Sequence, residues 1–71
     1  MNKDSLLGLL PTAKEDTAKV QLLIDIGNQY EWDDLGTAGN YYLKAGDLSE
    51  KLRYKEGIIK FIANYTYLLN L

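Results

Sequence analysis

The stretch Ala38-Gly39-Asn40-Tyr41-Tyr42-Leu43-Lys44-Ala45-Gly46-Asp47-Leu48-Ser49-Glu50-Lys51-Leu52 (residues 38–52) carries two signals that disagree. Ala38, Tyr41, Tyr42, Ala45, Leu48 and Leu52 recur at helical spacing, which calls for one helix running through. Gly39 and Gly46 sit inside it, and Gly46-Asp47 has the composition of a turn. Each interior glycine costs about 1 kcal/mol relative to alanine. A break at Gly46 would part Leu48 and Leu52 from the Tyr41/Ala45 stripe, and burying one apolar side chain is worth ~1.5–3 kcal/mol. The stretch is therefore expected to be one continuous helix, with the glycines as the place where it would kink.

On its N-terminal side, Leu23, Ile26, Gly27 and Tyr30 obey the same rule and predict a helix over about residues 17–32. Val20, Leu22 and Ile24 widen its apolar side, as in a helix sandwiched between neighbours. Asp16 or Thr17 can cap its start, and Asp34 can cap the next helix, which should reach Arg53 or Tyr54. On the C-terminal side, after Tyr54-Lys55-Glu56, Ile58, Phe61, Ile62, Tyr65, Leu68 and Leu69 form a third stripe. Ahead of all three, residues 4–10 make a short helical segment that Pro11 stops. Strand alternation is nowhere sustained. The expected fold is all-α: an N-terminal segment (1–15), an antiparallel helical hairpin (16–54) and a third helix (55–71), in one domain.

Composition narrows the chemistry. The chain has 71 residues, 46% apolar and 25% charged, as in a soluble globular domain at the size where one core is marginal. It has no Cys and no His, which removes disulfides, thiolate nucleophiles, Cys/His metal sites and the commonest proton shuttle near neutral pH. Net charge is −2, so nothing in the bulk drives it to nucleic acid or membranes. The charge is uneven, with three Lys against seven acids in residues 1–34 and five basic against three acidic residues in 35–71. No apolar run approaches the ~20 residues of a membrane span. Asp4 interrupts the opening apolar stretch, which as it stands is no signal peptide. The compartment, cytoplasm or periplasm, stays open.

The local pattern resembles a family. Leu23-Ile24-Asp25-Ile26-Gly27-Asn28-Gln29-Tyr30 resembles the first helix of a tetratricopeptide repeat. Ala38, Tyr41-Tyr42 and Ala45 look like the small and aromatic positions of the repeat's second helix. Residues 41–58, YYLKAGDLSEKLRYKEGI, are similar to the longer repeats of Bacteroidetes-type bacterial sensor and regulatory proteins. Ile62 to Leu69 would open a second repeat, with Thr66 at the glycine position. The resemblance spans residues 4–71, about one and a half repeats. It implies a non-enzymatic scaffold that binds a protein or peptide segment on a concave face, without cofactor or metal. Carried over by position, that face is Gln21, Ile24, Asn28 and Glu31, then Lys60, Ala63 and Tyr67. Relatives that clamp a peptide carboxylate have Lys where Ile24 stands, so that specificity is not implied.

Two packing expectations come with this pattern. Gly27 should meet Ala38 or Gly39 where the first two helices approach, with Tyr30, Tyr41 and Tyr42 filling wider gaps and their hydroxyls reaching the surface. Ile58, Ile59, Tyr65, Leu68, Leu69 and Leu71 cannot all hide behind one hairpin, so a homo-oligomer is expected, the third helix docking on another copy or exchanging with it. Stacked repeats normally need about three units, which points the same way.

Other features read more simply. Asp33-Asp34 is a cap and dipole pair rather than a metal pair. Asp25 and Glu31 are too far apart for paired acid–base work. Residues 51–55, KLRYK, could touch phosphates with Tyr54 on a base, but read better as a solvated helix end. Gly27-Asn28 is no phosphate loop, for no strand precedes it. Ser5 and Ser49 have no His to activate them. Trp32 reads as core edge rather than an exposed anchor. The other class in play is a free-standing helical regulator or nucleic-acid accessory protein, whose binding would show a steep salt slope.

Overall fold

In the computed structural model, residues 3–70 are described. They form α1 (Lys3–Leu9), a 3-10 turn (Leu10–Thr12), α2 (Thr17–Tyr30), α3 (Leu35–Leu52) and α4 (Lys55–Leu69). The fold is all-α, with four helices and no strand among the described residues. Asp16 caps α2, its carboxylate accepting from the Lys19 N–H at 3.2 Å. Asp34 caps α3 in the same way, accepting from the Thr37 N–H at 3.2 Å and the Thr37 hydroxyl at 2.8 Å. Each such cap is worth ~1 kcal/mol. The hydrogen bonds from Thr37 also lower the Asp34 pKa. Pro11 lies in the 3-10 turn that ends α1. Arg53 closes α3 in the left-handed region, φ 54°.

Residues 35–52 are one unbroken helix, and the two glycines have a shared purpose. Gly39 and Gly46 are seven residues apart, on the α3 face toward α4. A Cβ on Gly46 would stand 2.7 Å from the Phe61 ring, and one on Gly39 would stand 3.2 Å from Leu68. The seam therefore needs their missing side chains. Ala38 and Ala45, also seven apart, are buried in the cluster with Val20, Leu23 and Ile24 of α2. One helix thus carries two small-residue stripes, one for each neighbour.

Helices α2 and α3 are antiparallel, as are α3 and α4, so α2 and α4 run parallel. At the junction of all three, Gly57 lies against Ser49 of α3, Val20 of α2 and Tyr54. Helix α1 runs back along α2. Leu6 is buried, and Lys3 pairs with Asp33 while lying 4.6 Å from the centre of the Tyr30 ring.

Several packing details differ from the sequence expectation. Gly27 does not meet a small residue. Its missing Cβ makes room for the Tyr42 ring, which would overlap that atom. Tyr42 is fully buried and its hydroxyl ends inside the protein rather than at the surface. Trp32 is 89% exposed, not core edge. Helix α2 ends at Tyr30, whose ring stacks on Tyr41 at 5.6 Å and takes the last packing position. Trp32 then falls in the turn. As the single tryptophan, already in solvent, it reports on surface contacts rather than on unfolding.

Gly8 lies in α1 with nothing within 4 Å of an added Cβ. Gly8→Ala should therefore stabilise the fold by about 0.5–1 kcal/mol, through helix propensity and a smaller unfolded ensemble. Thermal unfolding monitored by far-ultraviolet circular dichroism checks this, and a lower Tm would contradict it.

Candidate functional site

Six of the seven residues of the expected concave face lie on α2 and α4, which run side by side, and Glu31 is the residue that caps the end of α2. Gln21 and Lys60 are brought into contact, the Lys60 ammonium donating to Gln21 Oε1 at 2.6 Å. Gln21 Nε2 in turn donates to Asp25 Oδ1 at 2.9 Å. A relay of cation, amide and carboxylate thus ties the two helices across their groove. Asp25 was not among the expected lining residues, although its i,i+4 spacing from Gln21 was legible. Ala63 and Tyr67 are exposed further along α4.

The other three are committed to the fold. Ile24 is 2% exposed and belongs to the core, so it offers a ligand no surface. Asn28 and Glu31 both face the Tyr42 hydroxyl, with Oδ1 at 2.6 Å and Oε1 at 2.5 Å. One phenolic O–H has one proton, so it can donate fully to only one of them. Donation to the Glu31 carboxylate is the stronger bond, being charge-assisted. Turning the Asn28 amide over would let its N–H donate back to the phenolic oxygen and complete the network. Burial first, then the Glu31 hydrogen bond and charge, push the Tyr42 pKa well above its ordinary value. Asn28 is thus half-buried, lining a cleft with Leu6, Asp25 and Gln29, and is a support for the core tyrosine.

The self-association residues divide similarly. Tyr65 and Leu68 turn inward beside Gly39, and Ile58 is half-buried. Ile59 and Leu69 are 65% and 69% exposed, and Ile62, which the sequence reading placed in the inward stripe, is 54% exposed. Leu71 lies outside the described residues. From Phe61 to Asn70 α4 and its cap carry no charged residue at all. On α3, Leu35 and Leu43 are also exposed beside this surface, and with Tyr65, Leu68 and Leu69 they line a cleft of about 370 Å³.

No group of three or more carboxylates among the described residues could hold a metal. No helix among them is long and apolar enough to cross a membrane. Ser49 is buried, its hydroxyl donating to the Ala45 carbonyl at 2.7 Å. Comparison of the chain with protein-family models, with curated proteins and with solved structures returns no match.

Proposed function

We infer that this chain is a non-enzymatic interaction module of the tetratricopeptide kind, about one and a half repeats long, that binds protein or peptide segments and associates with itself. Two antiparallel pairings, with α2 and α4 parallel, suit a hairpin joined to the first helix of a second repeat. The resemblance puts its parent context in bacterial signalling.

The observation that carries the reading is the outer face of α4. Ile59, Ile62 and Leu69 share one side of the helix and are mostly in solvent, and the helix carries no charge from Phe61 onward. Scattered exposed apolar residues are ordinary, but three on one helix face without a charge among them support reading that face as a docking surface. A second copy of α4 offers the same stripe, and an antiparallel pairing of the two would also oppose their dipoles favourably.

Sedimentation velocity at high micromolar concentration should show a dimer or larger species. The double variant Ile59→Glu/Ile62→Glu should return it to monomer with unchanged helicity, weakening association at least ~10-fold, since each buried carboxylate would lose water without a partner. A parent chain that is monomeric under those conditions would end the self-association reading.

A further inference from the structure

On the side of the hairpin away from the α4 stripe, beyond the end of α1, lies a half-open cleft of about 380 Å³. Its size falls in the range of small-molecule sites, roughly 300–1,000 Å³. Leu10, Leu23 and Leu48 line it, and Leu23 and Leu48 are buried members of the core. Lys19, Lys44 and Lys51 also line it, against the carboxylates of Glu15 and Asp47. Glu15 is shared, lying 2.5 Å from the Lys19 ammonium and 4.0 Å from that of Lys51. Lys44 reaches over the Tyr41 ring at 5.0 Å. Three cations face two anions, so the rim carries a surplus positive charge in a chain that is negative overall.

We propose that this cleft binds an alkyl carboxylate, with the hydrocarbon chain along half-buried Leu10 and the outer edges of Leu23 and Leu48, and the carboxylate at Lys44 and Lys51. The walls explain the choice. Most of the lining comes from side chains of α2 and α3, whose backbone groups are occupied within their own helices. A peptide laid here would lose water from its amides with few partners in return. An alkyl chain has no such groups to satisfy, and its one anionic end meets the lysines. The site is independent of the α4 stripe and does not rest on the interaction-module reading.

The test is methyl-detected NMR titration of the full chain with decanoate, decanol and decyltrimethylammonium. Decanoate is expected to shift the methyls of Leu10, Leu23 and Leu48. Decanol should bind about tenfold more weakly, and the cationic analogue should leave those methyls unmoved. Lys44→Gln/Lys51→Gln changes only exposed side chains and should weaken decanoate about tenfold while leaving decanol unchanged. Equal binding of anion and cation would overturn the proposal. So would indifference to the lysine substitutions, no shift at millimolar ligand, shifts confined to Ile59, Ile62 and Leu69, or tighter binding in this cleft by a leucine-terminated peptide.

Discussion

Replacing Tyr42 with alanine is expected to lower the unfolding free energy by about 3–5 kcal/mol, the range for emptying a buried aromatic site. A domain of this length has roughly 4–11 kcal/mol in total. The variant should therefore be largely unfolded near 37 °C, or melt at a far lower temperature. The ring fills the space Gly27 leaves open and is fully buried, so no neighbour can easily collapse into the void. Tyr42→Phe separates packing from polarity. It keeps the ring and removes the hydroxyl that serves Glu31 and Asn28. The loss should be about 1.5–3 kcal/mol, as for a hydrogen bond to a charged group, or on the order of 10 °C in Tm.

The same hydroxyl carries a pH signature. Its pKa in the folded chain lies above that in the unfolded chain, so the neutral form is favoured by folding. This contribution is whole below about pH 10 and is lost as pH rises toward the folded value, by up to ~1.4 kcal/mol per pH unit. Tyr42→Phe should make the alkaline limb of the stability curve shallower, a change that loss of packing alone would not produce. Chemical denaturation at several pH values between neutral and strongly alkaline measures it. A Phe variant as stable as the parent, with the same alkaline slope, would mean the hydroxyl network contributes nothing.

Gly57→Ala should destabilise by ~1–3 kcal/mol, the usual range for overpacking. Helix propensity alone points the other way, to a gain of about 1 kcal/mol. The added methyl would overlap Ser49 Oγ and stand 2.6 Å from Tyr54 Cδ2 and 2.9 Å from Val20 Cγ1. The first belongs to α3, the second to the α3–α4 corner and the third to α2, so relieving one contact presses on another. Ser49 and Val20 are fully buried and have nowhere to go. Set beside Gly8→Ala, this pair of identical substitutions should move Tm in opposite directions. If Gly57→Ala raises Tm, the three helices do not meet as closely at that point as described.

Helix positions were legible because they arise from local chemistry. Asp16 and Asp34 can each cap only the helix on their C-terminal side, and the stripes of α2 and α3 repeat at helical spacing. The end of α2 was less so. The sequence expectation ran to residue 32, but α2 ends at Tyr30, whose ring stacks on Tyr41, and Trp32 falls in the turn beyond it, in solvent. In the candidate groove, Gln21 and Lys60 touch although they lie 39 residues apart along the chain. Position on a helix indicated which face each shares, but not that Ile24 would be enclosed or that Asn28 and Glu31 would serve a tyrosine from the next helix.

By itself, then, the sequence determined an all-α chain, the order of its helices and the continuity of residues 35–52, since propensity, capping and apolar spacing act within a few residues. Tertiary structure alone decided what the small residues are for. A glycine reads the same in any register, and only the approach of a particular partner shows that Gly27 admits Tyr42, Gly46 admits Phe61 and Gly57 admits Ser49. Those choices depend on matching surfaces between segments far apart in the chain, where the shape of one side chain is set by the absence of another.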